Sequence, residues 1–168
     1  MNQLDVNIIN LFSSYHVWEK ANRYYFETDY NLKYFVDFSL EDDPRYVAYW
    51  FNLVNMSGAA SPKDTKIWQT VFCIIEEFFR NNPNILLYIC STAGHQQAQR
   101  ARLFSYWFQK AKQQERYYFK TAEIKGDDAK DDIDKEYVAI IVPRNHPQAE
   151  DILSFFEEET SMFNSMKP

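Results

Sequence analysis

The chain has 168 residues, 46% of them hydrophobic and 18% aromatic, which is enough material to bury a sizeable core. Its formal net charge of −6 argues against nucleic acid as the main partner, because that binding depends on neutralised phosphates. No apolar run approaches the roughly 18 residues of a membrane helix, and the N-terminus has no features of a secretory signal. We therefore expect one globular domain over residues 1–168, located in the cytoplasm.

The first half of the chain predicts a helix, three strands and a second helix. Apolar residues recur at helical spacing from Leu4 to Trp18. Alternating hydrophobicity and turn residues predict three strands, over 23–29, 33–40 and 45–56. The third strand is apolar on both faces, which is typical of a central strand. Ser61 and Pro62 then have the pattern of a helix start, with Ser61 as the N-cap, and the helix continues to Asn81.

The second half of the chain alternates strands with helices. The short apolar run 85–90 is typical of an inner strand that is covered on both faces. A helix is predicted from about 95 to 115, followed by strands over 117–124 and 136–143 and a last helix after Asn145. This order predicts an α/β fold, α-βββ-α-β-α-ββ-α, with a mixed, largely antiparallel sheet of about six strands and helices on both faces.

The segment 95–116, which includes the helix predicted from about 95 to 115, carries a strong local positive charge. Five basic residues stand there against Glu115 alone: Arg100, Arg102, Lys110, Lys112 and Arg116. Ser91, Thr92 and the amide groups around Gly94 form the predicted helix start, where unpaired amides and the helix dipole favour an anion. The alternative is a capped helix start with a solvated, charged face.

The turn after the third predicted strand reads Asn55-Met56-Ser57-Gly58-Ala59-Ala60. Together with the order of elements over residues 23–143, this turn resembles the GCN5-related acyltransferase family. In that family, the turn from the fourth strand into the next helix carries Gln/Arg-x-x-Gly-x-Gly/Ala, whose amides hold the pyrophosphate of coenzyme A. Here Asn replaces the leading Gln/Arg, and Pro62 removes one amide. The alternative is a tight strand-to-helix loop.

The resemblance implies an acyl-coenzyme A-dependent N-acyltransferase, or a catalytically degenerate relative, that binds coenzyme A or acetyl-coenzyme A. The cofactor contacts it implies are Asn55, Gly58 and Ala60, and the helix start after residue 90 adds further candidate contacts, namely Ser91, Thr92, Gly94, Arg100 and Arg102. The aromatic-rich composition and the Arg-x-Arg-Leu-Phe-x-x-Trp helix also resemble small uncharacterised bacterial proteins of unknown function. That second likeness implies no activity.

An acyltransferase would need a general base to deprotonate an amine, and Glu27, Asp37 and Tyr106 are candidates among which the sequence does not choose. We expect no metal site, because the three histidines are far apart and no ligand neighbours them at the required spacing. The acidic stretch 127–134 lacks the register of a calcium-binding loop and is predicted to be a solvated loop.

A second hypothesis is a non-catalytic interaction or regulatory protein on the same fold. It is motivated by the missing Gln/Arg, by the absence of a clear base, and by aromatic residues that could form an exposed patch. It predicts a protein partner or a self-association surface without dependence on a small molecule. The oligomeric state, the acyl group and the acceptor are left open by the sequence.

Overall fold

The structure is a computed structural model that describes residues 1–41, 45–90, 97–125 and 135–166. The helices in these ranges are α1 (Val6–Phe12), α2 (Thr65–Asn81), α3 (Gln97–Phe108), α4 (Ala111–Arg116) and α5 (Ala149–Ser165). The strands are β1 (Trp18–Lys20), β2 (Arg23–Glu27), β3 (Lys33–Glu41), β4 (Ala48–Asn55), β5 (Ile85–Cys90), β6 (Tyr117–Lys125) and β7 (Lys135–Pro143). In the sheet they follow the order β1-β2-β3-β4-β5-β7-β6. The predicted mixed, largely antiparallel α/β fold is confirmed.

The first helix is shorter than its apolar spacing predicts. The Asp5 carboxylate caps α1 by accepting a hydrogen bond from Asn7 N at 2.9 Å, and the helix ends at Phe12. Residues Trp18–Lys20 instead form β1, in which Trp18 lies opposite Tyr25 of β2. Over only three residues, the spacing of apolar side chains does not distinguish a strand from the end of a helix. The sheet therefore has seven strands rather than about six, and four of them precede α2.

The chain forms two compact units, and β3 and β4 contribute residues to both. The first unit comprises Met1–Ser39 and Phe51–Pro83. Here β1, β2, β3 and the second half of β4 carry α1 and α2 on one face. The Tyr15 ring, just after α1, stacks on Phe26 with centroids 6.1 Å apart, and Phe78 of α2 stacks on Phe38 at 4.7 Å. Burial of these rings holds the helices on the sheet.

Helix α2 buries the apolar stripe that the sequence predicts, namely Ile67, Val71, Ile74, Ile75 and Phe78. Its start is different from the prediction. The helix begins at Thr65, and Asp64 is the N-cap because its carboxylate accepts a hydrogen bond from Lys66 N at 3.0 Å. Ser61 is not the cap, and its hydroxyl donates to the carbonyl of Pro62. Either side chain suits a cap position, so local sequence did not distinguish them.

The second unit comprises Leu40–Trp50 and Asn84–Pro168. Its antiparallel strands follow the order β5-β7-β6, with Leu87 opposite Ile140. One face is covered by α5, which buries Ile152, Leu153 and Phe156 against Ile140 and its neighbours. The other face carries α3, in which the Phe104 ring stacks on Tyr88 at 4.2 Å. Helices therefore cover both faces of this unit.

The helix predicted from about 95 to 115 is two helices in the structure. α3 ends at Phe108, and the extended backbone of Lys110 (φ −63°, ψ 131°) precedes α4. No proline or glycine marks this break in the sequence. None of the helices in the described ranges has the length and apolar character needed to cross a membrane.

Candidate functional site

The turn after β4, residues 56–64, lies in the first unit and is fastened to β3. Met56 N donates a hydrogen bond to the Lys33 carbonyl at 2.8 Å. In return, Lys33 N donates to the Ser57 hydroxyl oxygen at 3.1 Å. These two bonds set the position of the turn relative to the end of the sheet.

Asn55 organises the turn from inside. Its Oδ1 accepts a hydrogen bond from Ser57 N at 3.0 Å, which is the geometry of an Asx turn. Its Nδ2 donates to the Ala59 carbonyl at 2.8 Å. Both ends of the Asn55 side chain are therefore engaged with the turn itself, and its role as a cofactor contact stays a prediction.

Gly58 has a backbone conformation that favours glycine over other residues. Its φ is +66°, in the left-handed region, and a Cβ built there would meet no atom within 4 Å. Residues 58–60 are exposed, and in the described part of the chain no acceptor takes a hydrogen bond from the amides of Gly58, Ala59 and Ala60. Three successive amides are therefore accessible to an anion from solvent.

The N-terminus of α2 is occupied by a carboxylate. Asp64 caps the helix and also accepts a hydrogen bond from the Tyr15 hydroxyl at 2.5 Å. Nearby, Asp29 forms an ion pair with Lys66 at 2.7 Å, and its amide donates to the Tyr15 hydroxyl oxygen. A second anion at this helix end would be repelled. An anion bound by the turn must therefore accept hydrogen bonds from the amides of the turn itself.

Burial of Tyr15 and its hydrogen bond to Asp64 raise the pKa of the tyrosine to about 12. The hydrogen bond from Lys66 to Asp29 raises the pKa of the lysine as well. Sequence reasoning missed this cluster, because Tyr15 and Asp64 are 49 residues apart and no local pattern joins them.

The second predicted anion site, at the start of α3, belongs to the other unit. Ser91, Thr92 and Gly94 lie outside the described residues, and so does the side chain of Arg100. Arg102 is exposed on α3. The remaining basic residues of this segment are also exposed: Lys110, Lys112 and Arg116. Anion binding at this segment stays a prediction.

The three candidate bases have different surroundings. Asp37 lies 3.3 Å from Arg23 Nε and accepts a hydrogen bond from Asn52 Nδ2 at 2.9 Å, so it is already engaged. Glu27 is exposed at the end of β2. Tyr106 is 66% exposed on α3. Among the described residues, no three histidine, cysteine, aspartate or glutamate side chains lie close enough to hold a metal ion, and the acidic stretch 127–134 lies outside them.

A groove between β6 and α5 in the second unit had no signal in the sequence. It has a volume of about 490 Å³ and is lined by Lys120, Thr121, Ala122, Phe156, Glu157, Thr160 and Ser161. Lys120 and Glu157 form an ion pair in its wall. The small side chain of Ala122 leaves this space open beneath the helix.

Fold and site together define a mixed α/β protein with an exposed, amide-presenting turn. Residues 63–158 match a family of unknown function, DUF6169. This match covers more than half of the chain, and the chain belongs to that family, as the likeness to proteins of unknown function predicted. The matched region includes the start of α3 and begins at Lys63, near the end of the turn of residues 56–64 and after Gly58, Ala59 and Ala60. No curated protein and no solved structure matches the chain.

Proposed function

We propose that the protein binds acyl-coenzyme A and is an N-acyltransferase-like protein or a degenerate relative. The observation that carries the proposal is the row of exposed amides at Gly58, Ala59 and Ala60. With β1 counted, the turn that presents them follows the fourth strand and precedes a helix. This is the position at which the GCN5-related family, which the sequence resembles, holds the cofactor pyrophosphate.

The chemistry of the turn suits a phosphate. Successive exposed amides can donate together to one anion, and Asn55 holds their turn in place before the ligand arrives. The open space above Gly58 allows close approach. Lys63 is exposed within the turn and adds positive charge, whereas the ammonium group of Lys33 lies over the Trp18 ring, 5.4 Å from its centroid. The Asp64 carboxylate restricts the phosphate to the turn rather than the helix end.

The proposal names no base for acyl transfer. Asp37 is engaged by Arg23 and Asn52, so Glu27 and Tyr106 are the more accessible of the three candidates. A degenerate relative would bind the cofactor without transferring the acyl group. We also propose that the protein acts in the cytoplasm, which cell fractionation would test.

Thermal unfolding with and without coenzyme A or acetyl-coenzyme A tests the binding. A ligand present at about 100 times its dissociation constant adds about 2.7 kcal/mol, which raises the midpoint by several degrees. Gly58→Asp and Gly58→Asn form a matched pair, because both residues tolerate a positive φ and only the aspartate carries a charge. We expect Gly58→Asn to retain most of the shift and Gly58→Asp to abolish it.

Two outcomes would reject the proposal. If neither ligand shifts the midpoint of the wild-type protein at about 1 mM, a coenzyme A site is excluded at useful affinity. If both variants shift like the wild type, the ligand binds away from the turn. In the first case, a non-catalytic interaction or regulatory protein becomes the better hypothesis for the function of this fold.

A further inference from the structure

Two arginines lie side by side in the second unit, where the end of α4 meets the end of β7. Arg144 N donates a hydrogen bond to the Arg116 carbonyl at 2.9 Å. The neighbouring pair of the β6–β7 ladder is Tyr117 opposite Pro143, so this bond continues the ladder by one pair. Arg116 and Arg144 are therefore directly opposite each other, with Cα atoms about 4.5–5.5 Å apart.

This juxtaposition of like charges has no compensating partner in the described part of the chain. Like charges directly opposite on two antiparallel strands destabilise the pair. Both arginine side chains are exposed, and neither forms an ion pair with a described aspartate or glutamate. The chain has a net charge of −6, so acidic residues are not scarce. Departures from local rules of this kind are expected at functional sites.

A third cation lies on the same side of α4. Lys112 precedes Arg116 by four residues, the spacing that makes two side chains neighbours on a helix surface. Lys112 is also exposed and forms no ion pair within the described residues. Glu115, the only acidic residue in the sequence of α4, is likewise not paired with any of the three. Three positive charges therefore surround the end of this helix.

The Arg144 side chain is held in place by its own contacts. Its Nε donates to the Gln114 carbonyl at 2.6 Å, and its guanidinium carbon lies 4.2 Å from the centroid of the Tyr118 ring. A helix C-terminus attracts one cation, which explains this contact. It does not explain a second arginine and a lysine. The two Nη groups of Arg144 have no acceptor among the described residues, and neither has the guanidinium of Arg116.

We propose that Arg116, Arg144 and Lys112 bind the phosphate group of a phosphate monoester. Such a group carries a charge of about −1.5 to −2 at neutral pH and three acceptor oxygens. Its charge offsets the repulsion between the arginines, and the planar guanidinium forks match pairs of phosphate oxygens. A carboxylate has two oxygens and a single charge, so it satisfies one fork alone. The site lies in the second unit and is independent of the cofactor proposal.

Nuclear magnetic resonance of the ¹⁵N-labelled protein tests the site, with O-phosphoserine as the probe and sodium chloride to keep the ionic strength constant. We expect saturable shifts of the Nε–H resonances of Arg116 and Arg144. Serine, which lacks the phosphate, should cause none. The tripeptide Gly-phosphoserine-Gly distinguishes two sources of the same group. Tighter binding of the tripeptide indicates a phosphorylated protein, whereas equal binding indicates a small phosphate monoester.

Substitutions at Arg116 separate geometry from charge. Arg116→Gln should weaken the binding of O-phosphoserine at least about tenfold, because one fork is lost. Arg116→Lys keeps the charge without the fork and should weaken binding about threefold. Lys20→Gln is the matched control, because it removes the charge of an exposed lysine of β1 in the first unit. It should change the dissociation constant less than about twofold.

Three outcomes would overturn the proposal. The first is the absence of saturable shifts up to about 20 mM O-phosphoserine. The second is an equal loss of affinity in Arg116→Gln and Lys20→Gln, which would mean that net charge alone attracts the probe. The third is binding that Gly58→Asp abolishes and Arg116→Gln does not, since the phosphate then binds the turn in the first unit. Circular dichroism shows whether each variant is folded, and failure here leaves the cofactor proposal standing.

Discussion

The Tyr15 hydroxyl donates a hydrogen bond to Asp64, the residue that caps α2, over a distance of 2.5 Å. One contact thus joins the segment after α1 to the helix that follows the candidate turn. Tyr15 is almost completely buried, and its ring stacks on Phe26. The helix cap is therefore held by tertiary structure as well as by local geometry.

Replacement of Tyr15 by phenylalanine keeps the ring and removes the hydroxyl. We expect Tyr15→Phe to lower the free energy of unfolding by about 1–2 kcal/mol, because a hydrogen bond to a carboxylate is lost. The folded pKa of about 12 lies above the usual value of 10.0, so the contribution is complete below pH 10 and is lost as pH rises toward 12. Urea unfolding at about pH 8 and about pH 11 would measure both effects. Equal pH dependence in wild type and variant would contradict the assignment.

Replacement of Glu77 on α2 should destabilise the protein more than replacement of an exposed carboxylate. Its side chain is 1% exposed and forms a two-point ion pair with Arg80, at 2.7 and 2.8 Å. It also accepts hydrogen bonds from Asp5 N at 3.1 Å and Asn81 Nδ2 at 3.0 Å. Glu77→Gln should lower the free energy of unfolding by about 1–3 kcal/mol, because a buried carboxylate that accepts hydrogen bonds from several donors is replaced by a neutral amide.

The control for Glu77 is Glu158→Gln, at an exposed position on α5. It should change the free energy of unfolding by less than about 0.5 kcal/mol. Urea unfolding measures both variants under the same conditions. Similar losses in the two would show that net charge, rather than the buried hydrogen bonds, determines the effect.

His146 should make stability depend on pH in the mildly acidic range. Its burial lowers its pKa, and Nδ1 accepts a hydrogen bond from Gln148 N at 3.2 Å, which requires the neutral ring. The unfolded chain therefore binds a proton first, so stability falls as pH drops through the usual value of 6.5 toward the lower folded pKa. His146→Asn retains an acceptor without titrating. Its loss of stability between about pH 7.5 and about pH 5.5 should be smaller than that of the wild type.

The two compact units should unfold together, since β3 and β4 supply residues to both. The expectation of a single domain predicts one calorimetric transition, with the calorimetric enthalpy equal to the van't Hoff enthalpy. Two resolved transitions would instead identify the units as separate domains. Glu77→Gln should then shift the transition of the first unit alone.

Much of the architecture was determined by the sequence itself. Alternating and continuous apolar runs located β2 to β7, and the 3.6-residue stripe predicted the buried face of α2, because these patterns depend on near neighbours. The family of unknown function and the α/β class were also predictable, whereas the predicted order lacked β1 and merged α3 with α4. The prediction was wrong at Trp18–Lys20, because this segment is too short for its apolar spacing to distinguish a strand from a helix.

Tertiary structure decided the chemistry of the candidate surfaces. The contact between Tyr15 and Asp64 joins residues 49 apart in the sequence, which only the fold brings together. The hydrogen bonds of Asn55 to its turn and of Asp64 to Lys66 are local, but they depend on a backbone path that the sequence pattern did not distinguish from a helix start at Ser61. The position of β6 at one end of the sheet order follows from its pairing with β7, which the sequence pattern did not specify. Sequence patterns report the burial of each residue, whereas hydrogen-bond partners and sheet edges depend on contacts between distant segments.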